Sequence, residues 1–110
     1  MATTYKNSQV LGTAGLTTYA TLYNTSPTTS AILSTMVICN RSSVDKKFRI
    51  AITSSAITPE NQEFIAYDTT VAGEDSTFIT IGVTLGTSDY IRVSSTDSNL
   101  SFTAFIAEIS

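Results

Sequence analysis

Apolar and polar residues alternate in short segments along this chain, and stretches of turn-forming residues separate the segments. In residues 46–53, for example, the apolar side chains occupy every second position: Phe48, Ile50 and Ile52. A period of two is typical of a half-buried β-strand, and no stretch of ten or more residues has the period of an α-helix. This alternation therefore predicts an all-β fold.

The predicted strands cover most of the chain. They lie at residues 19–23, 31–40, 46–53, 64–68, 77–85, 90–94 and 100–109, with a short strand or extended arm at 9–11. Seven or eight strands at this spacing are typical of a sandwich. We expect a single antiparallel β-sandwich, immunoglobulin-like or jelly-roll, at residues 17–110, preceded by an N-terminal arm or short edge strand at residues 1–16. The 20 threonines and 15 serines are compatible with this fold, because Thr packs well on a pleated, half-buried surface.

The strand predicted at residues 31–40 is apolar on both faces. Strict alternation places one set on one face, Leu33, Val37 and Cys39, and another set on the opposite face, Ile32, Met36 and Ile38. A strand that is apolar on both faces is expected to be covered on both. The opposing sheet is one cover, and the other is an arm, a loop or a second subunit.

Two further segments give specific expectations. Residues 46–53 follow the turn at residues 40–45, so we expect them to form a hairpin with the strand at 31–40. Residues 77–85 are predicted as one strand in which Gly82 marks a bulge or a close backbone approach. The apolar positions expected on one face of that strand are Ile79, Ile81, Val83 and Leu85.

The composition excludes most catalytic chemistry. The chain has no histidine, so no histidine base can activate its single cysteine, Cys39. We expect Cys39 to be a buried, inert thiol. Most of the nine carboxylates fall in predicted turns, and their spacing indicates no pair held across a cleft. Glu74-Asp75 and Asp97–Asn99 are weak calcium candidates, and no known metal-binding pattern is present. We expect no catalytic, cofactor-binding or metal-binding residue, and no enzymatic activity.

The charge distribution indicates neither a nucleic-acid nor a membrane partner. The net charge is −3, and the basic residues cluster only at Lys46, Lys47 and Arg49, with Arg41 nearby. A solvated outer face explains this cluster best, and a phosphate-binding patch is the alternative. Residues 1–6 lack the apolar core of a signal peptide, and no apolar run is long enough to span a bilayer, so we expect synthesis in a cytoplasm.

Carbohydrate binding remains open as a further function. Stacking platforms for sugars could come from the five tyrosines, Tyr5, Tyr19, Tyr23, Tyr67 and Tyr90. Tyrosines at the edges of a sandwich more often pack with only the hydroxyl in water. The sequons at Asn24, Asn40 and Asn99 are explained by chance in a chain so rich in Ser and Thr.

Two sets of segments, taken in order, carry a resemblance to a known family. The first set comprises Ala20-Thr21-Leu22-Tyr23, a proline-containing turn, residues 31–41 ending in Val37-Ile38-Cys39-Asn40-Arg41, and Phe48-Arg49-Ile50-Ala51. The second comprises Tyr67-Asp68, residues 79–85, Asp89, Ile91-Arg92-Val93, Leu100-Ser101-Phe102 and Ala107-Glu108-Ile109. Over most of residues 18–110, the chain resembles small virion structural proteins of tailed bacteriophages, a group common among marine and cyanobacterial phages. Residues 1–17 lie outside this resemblance, and the family supplies no catalytic residue to transfer.

The resemblance implies a structural protein located in the virion and made in the host bacterial cytoplasm. The first expectation is capsid decoration: the chain would cement the head by packing on the major capsid protein, with residues 1–16 reaching a neighbouring subunit. The alternative is a neck, tail or fibre component that contacts the host surface through loops such as 54–62 or 86–89. A homo-oligomer is expected in either case. Two-fold assembly is the commonest kind, and local capsid symmetry favours a trimer.

Overall fold

The protein is described here from a computed structural model that covers residues 2–56 and 58–110. Nine strands follow one another along the chain: β1 (Thr3–Leu11), β2 (Ala20–Asn24), β3 (Ser30–Asn40), β4 (Lys46–Thr53), β5 (Phe64–Val71), β6 (Ser76–Ile79), β7 (Val83–Leu85), β8 (Tyr90–Ser95) and β9 (Leu100–Ile109). One turn of 3₁₀ helix, Asn61–Glu63, precedes β5. Within the described residues, no helix is long and apolar enough to cross a membrane.

The strands form two antiparallel sheets, which confirms the predicted β-sandwich. The first sheet has the order β1-β9-β3-β6, with β7 also paired to β3, and the second has the order β2-β8-β4-β5. Strands β6 and β7 pair with successive parts of β3, so together they act as one interrupted edge strand. Counted in this way, the sandwich has two four-stranded sheets and the strand order of a jelly roll. The topology therefore selects the jelly roll from the two architectures expected.

The core lies between the two sheets. From β9 it receives a row of alternating residues, all of them buried: Leu100, Phe102, Ala104 and Ile106. From the second sheet Phe48 packs edge-to-face on Phe102, with ring centroids 6.2 Å apart. Ile91 and Val93 of β8 are fully buried as well. Full burial of such side chains stabilises the folded state by about 1.5–3 kcal/mol each.

A bulge in β3 overturns the strict alternation predicted there. The register with β9 shifts between Leu33 and Thr35. One extra residue places Leu33, Met36 and Ile38 on the same inner face, where each is at most 1% exposed. The prediction that Leu33 lies opposite Met36 was therefore wrong, because a β-bulge inserts an unpaired residue and reverses which positions face inward.

The predicted hairpin between residues 31–40 and 46–53 was also wrong. Strand β3 pairs with β9, β6 and β7, whereas β4 pairs with β5 and β8 in the other sheet. The intervening residues 41–45 form an arch across the end of the sandwich instead of a tight turn. Asn40 is 1% exposed and holds this arch by donating to the carbonyls of Val44 (2.8 Å) and Val71 (3.1 Å).

The strand predicted at residues 77–85 is divided. Residues 80–82 leave the sheet between β6 and β7, and Ile81, predicted to share one face with Leu85, is 46% exposed. Gly82 lies in this gap between two strands instead of at a bulge within one strand, and a Cβ atom there would meet no atom within 4 Å, so the predicted bulge or close backbone approach was wrong. Leu85, in contrast, is fully buried.

The N-terminal residues take part in the first sheet. Residues 3–11 form β1, which pairs with β9 from Thr3↔Ile109 to Leu11↔Ser101 without a register shift. At Gly12 the chain then turns toward β2. No side chain fits at position 12, since a Cβ atom there would lie 2.6 Å from the Asp97 carbonyl oxygen. The division of the chain at residues 16 and 17 stays a prediction.

Candidate interaction surface

The outer surface of the first sheet carries a continuous apolar band, here called the apolar face. Strand pairing places its members in rows that run across the sheet. In the first row Ala107 lies between Tyr5 and Ile32, and in the next row Phe105 lies opposite Asn7. In the third row Val37 lies between Thr103 and Phe78. The apolar face is defined by Tyr5, Ile32, Val37, Phe78, Phe105 and Ala107. Since same-face neighbours across strands lie about 4.5–5.5 Å apart, these side chains form one patch.

Several members of the apolar face are open to solvent. The exposed fraction is 83% for Tyr5, 67% for Phe78, 43% for Phe105 and 41% for Ile32. Alternation predicts apolar residues on both faces of β3, and the structure confirms this on the outer face with Ile32. Phe105 of β9 lies on the same outer face. Tyr5 and Phe78 extend the patch onto both neighbouring strands. The outward position of Phe78 within an alternating segment was the signal that could have identified it.

The bulge in β3 shapes this surface. Ser34, the extra residue, donates a hydrogen bond of 3.1 Å from its hydroxyl to the Phe105 carbonyl oxygen. A shallow groove of about 400 Å³ lies beside it, and its lining residues are Tyr5, Lys6, Asn7, Ile32, Ser34, Phe105, Ile106 and Ala107. The apolar side chains therefore border a depression that can receive side chains of a partner.

No charged residue faces outward from the paired positions of the first sheet in the described part of the chain. The charged residues of β1 and β9 are Lys6 and Glu108. Both are at inward-facing positions of their strands, and they form an ion pair of 3.1 Å. Aromatic enrichment and depletion of charge are the composition typical of the centre of a protein interface. The apolar face therefore has the chemistry of a contact surface and lacks the groups needed for acid–base chemistry.

The outer surface of the second sheet has a different character. Arg49 on β4 donates to both carboxylate oxygens of Asp68, at 2.6 and 3.4 Å, and to the hydroxyl of Tyr19 at 3.1 Å. Its guanidinium lies 4.1 Å from the ring centre of Tyr67, and Phe64 packs edge-to-face on the same ring. We call these five residues the arginine–tyrosine cluster.

A bulge also positions this cluster. The pairing of β4 with β5 shifts register, and Asp68 adopts a positive φ of 50°, which turns its carboxylate toward Arg49. The hydrogen bonds from Arg49 hold the pKa of the Asp68 carboxyl below its usual value, and those to Asp68 and Tyr19 raise the pKa of the guanidinium. Because its donors already have partners, Arg49 acts as a tie between β4, β5 and the loop before β2.

The remaining basic residues of the predicted cluster are mostly engaged within the chain. Lys46 forms an ion pair of 2.6 Å with Asp97, and Arg41 donates to the Ser98 carbonyl. Lys47 is exposed on the outer side of β4. The structure therefore divides the basic cluster among separate intramolecular contacts and does not gather it around one open site.

The other residues singled out in the sequence are dispersed. Tyr5 is on the apolar face, Tyr19 and Tyr67 are in the arginine–tyrosine cluster, and Tyr23 is 8% exposed between the sheets. Cys39 is a free thiol and half-buried, less covered than expected. Across residues 2–56 and 58–110, no group of three or more Cys, Asp or Glu side chains is arranged to hold a metal ion.

No known protein family matches the sequence, and no curated protein is significantly similar to it. Solved structures with the same fold include chains from viral particles. A chain of the acid-stable capsid of Helicobacter pylori bacteriophage KHP30 is 9% identical with a TM-score of 0.55, and the match covers 100% of this chain and 94% of that one.

Two chains of infectious bursal disease virus are similar to the same degree. The chain from the Gx strain is 12% identical with a TM-score of 0.56 over 97% of this chain. The chain from the T13 particle is 12% identical with a TM-score of 0.55 over 96% of this chain. This chain spans about a third of their length, 32% and 30%. At these identities the likeness is one of fold: the jelly roll found here also occurs in viral capsids.

Proposed function

We propose that this chain is a structural protein of a phage virion that decorates and cements the head by packing its apolar face on the major capsid subunits. The observation that carries the proposal is the charge-free apolar face, with Tyr5, Ile32, Phe78 and Phe105 exposed on one regular sheet. Large exposed apolar patches on soluble proteins mark contact sites. The occurrence of the same jelly roll in viral capsids supports this partner, as does the phage family that the sequence resembles.

The expected mechanism is mechanical. Burial of one Ile or Phe side chain against a partner contributes about 1.5–3 kcal/mol. A shell offers many equivalent positions, so a modest contact at each position sums to a large resistance against expansion of the head. The rigid two-sheet core keeps the apolar face in one shape, which limits the conformational cost of binding.

Matched isoleucines offer a direct test. Ile32 on the apolar face is 41% exposed, and Ile65 on β5 of the other sheet is 40% exposed. We expect Ile32→Asp to abolish binding of the purified protein to heads that lack it, because the substitution places a charge in the contact. Ile65→Asp makes the same chemical change at equal exposure, so binding should stay at the level of the unchanged protein. Co-sedimentation with the heads measures both.

Circular dichroism and thermal unfolding control for folding of the two variants. Equal loss of binding in both variants, with folding retained, would contradict a role for the apolar face in particular. Retention of binding in Ile32→Asp and in Phe105→Asp would contradict the proposed attachment altogether.

A further inference from the structure

The sheet edges differ in their suitability for pairing with another chain. The edge formed by β6 and β7 is interrupted at residues 80–82, β2 has five residues and a register shift, and β5 is bulged around Asp68. Such features block strand addition at an edge. Among the described strands at the edges, β1 differs: it has nine residues, no proline and no register shift.

The backbone of β1 has a defined hydrogen-bonding direction. Ala2 and Ser110 exchange two backbone hydrogen bonds of 3.1 and 3.0 Å, and the Gly12 amide donates to the Leu100 carbonyl at 2.7 Å. In an antiparallel ladder, hydrogen-bonded positions recur every second residue. The even-numbered residues therefore bond to β9, and the odd-numbered residues, Thr3 to Leu11, direct their N–H and C=O groups to the free edge.

We propose that β1 pairs antiparallel with β1 of a second copy of this chain, across a two-fold axis at Asn7. In this register Asn7 faces Asn7 of the second copy, Tyr5 faces Gln9, and Thr3 faces Leu11. All five odd-numbered residues of each strand then gain backbone partners. Seven of the nine residues of β1 are exposed, so the added strand covers a segment that its own chain leaves open.

Side chains of β1 fit this self-pairing. Tyr5 and Leu11 are 83% and 58% exposed on the same outward face, and the two-fold axis makes Tyr5 of one copy a diagonal neighbour of Leu11 of the other. Lys6 is the single charged residue of the strand, and its partner across the axis is Ser8. Because Lys6 already forms an ion pair with Glu108 of its own chain, no like charges meet directly.

The pairing is independent of the proposed capsid contact, and it would join two apolar faces into one continuous sheet surface.

The proposed pairing is tested without any capsid. Sedimentation equilibrium of the full chain should give a dimer. Asn7→Lys and Asn7→Asp each place two like charges opposite one another at the axis, so each should weaken the dimer by about fivefold or more. An equal mixture of the two variants places Lys opposite Asp and should restore the dimer.

Gln9→Lys is the matched control. It introduces the same charge on the same face of β1, but opposite Tyr5 of the second copy, so its dimer should persist. Asn7→Cys in a Cys39→Ser background should form an intermolecular disulfide on oxidation, since paired Cα atoms about 5.5 Å apart suit that bond. A wild-type chain that stays monomeric up to about 1 mM would overturn the proposal. So would an Asn7→Lys dimer as stable as that of Gln9→Lys, or a mixture that fails to restore pairing.

Discussion

At the scale of single residues, the side chain of Asn40 illustrates how one buried amide supports the sandwich. Its Nδ2 donates to two carbonyl oxygens, on Val44 and Val71, and its Oδ1 accepts from the backbone N–H and the hydroxyl of Ser42, at 2.9 and 2.8 Å. Every hydrogen-bonding position of the amide is therefore occupied. The sequence indicates a turn after Asn40, but its burial depends on an arch between the sheets that local residue types do not specify.

We predict that Asn40→Asp destabilises the protein by about 2–4 kcal/mol, because the carboxylate cannot donate and leaves buried carbonyl groups without partners. Urea unfolding measures this change. Asn24→Asp is the control, since Asn24 is exposed at the end of β2 and its replacement should stay within about 0.5 kcal/mol. Equal stabilities of the two variants would contradict the role given to Asn40.

Gly73 marks a place where two backbone segments touch. A Cβ atom at this position would lie 2.5 Å from the Ser43 carbonyl carbon and oxygen, whereas a Cβ at Gly15 would meet no atom within 4 Å. We therefore predict that Gly73→Ala lowers the unfolding free energy by about 1–3 kcal/mol through displacement of the backbone. Gly15→Ala should leave it unchanged or slightly raised. Thermal unfolding of both variants provides the comparison, and a neutral Gly73→Ala would contradict the close approach.

At the scale of elements, periodicity predicts that β3 is a strand, but it does not predict the bulge that changes which side chains of β3 face inward. Alternation identified β3 as a strand and recognised that both of its faces are apolar. It assigned Leu33 and Met36 to opposite faces, and the structure places both in the core. A bulge depends on how β3 pairs with β9, seventy residues further along the chain, and the residues around Ser34 contain no glycine to signal it.

The two sheets are linked at one end by Tyr23 and Glu108. Glu108 continues the inward row of β9, and its carboxylate accepts a hydrogen bond from the hydroxyl of Tyr23 on β2. The Nζ of Lys6 on β1 forms an ion pair with the same carboxylate, 3.1 Å from its Oε1. The hydrogen bond from Tyr23, followed by that from Lys6, holds the pKa of the Glu108 carboxyl below its usual value. Burial and the neighbouring carboxylate raise the pKa of Tyr23.

This link predicts a dependence of stability on pH. Since the pKa of Glu108 is lower in the folded state, its contribution is complete above its unfolded pKa and disappears as the pH falls through the folded value. Tyr23→Phe should therefore cost about 1–2 kcal/mol at pH 7, and the cost should shrink as the pH falls through the folded pKa of Glu108 and its carboxylate is protonated. Chemical unfolding at a series of pH values measures the difference, and a cost independent of pH would contradict the link. Tyr67→Phe, at an exposed tyrosine remote from Glu108, is the control.

At the scale of the whole molecule, the sequence predicts the strands and the β-sandwich better than it predicts how the strands are connected. Alternation and turn residues identify a β-sandwich because burial of one sheet face imposes a period of two. The assignment of β3 and β4 to different sheets was not predictable, because both a hairpin and an arch can follow Asn40. The apolar face was predicted in part: the apolar residues on both faces of β3 were recognised, whereas Tyr5, Phe78 and Phe105 join that face only through long-range pairing.

The molecule as a whole has two unlike outer surfaces. One sheet exposes the apolar face, and the other is tied together by the arginine–tyrosine cluster, whose charges are paired. This asymmetry means that a partner seated on the apolar face leaves the other sheet and its loops facing solvent. Such an arrangement suits a protein that covers a shell, with one side attached and the other exposed.

The copy number of this chain in purified virions tests the central proposal most directly. Quantitative mass spectrometry against the major capsid protein gives this number in one measurement. Decoration of the head predicts a copy number comparable to that of the major capsid protein, since the same contact repeats over the shell. A handful of copies per particle would contradict decoration and would favour a position in the neck, tail or fibre.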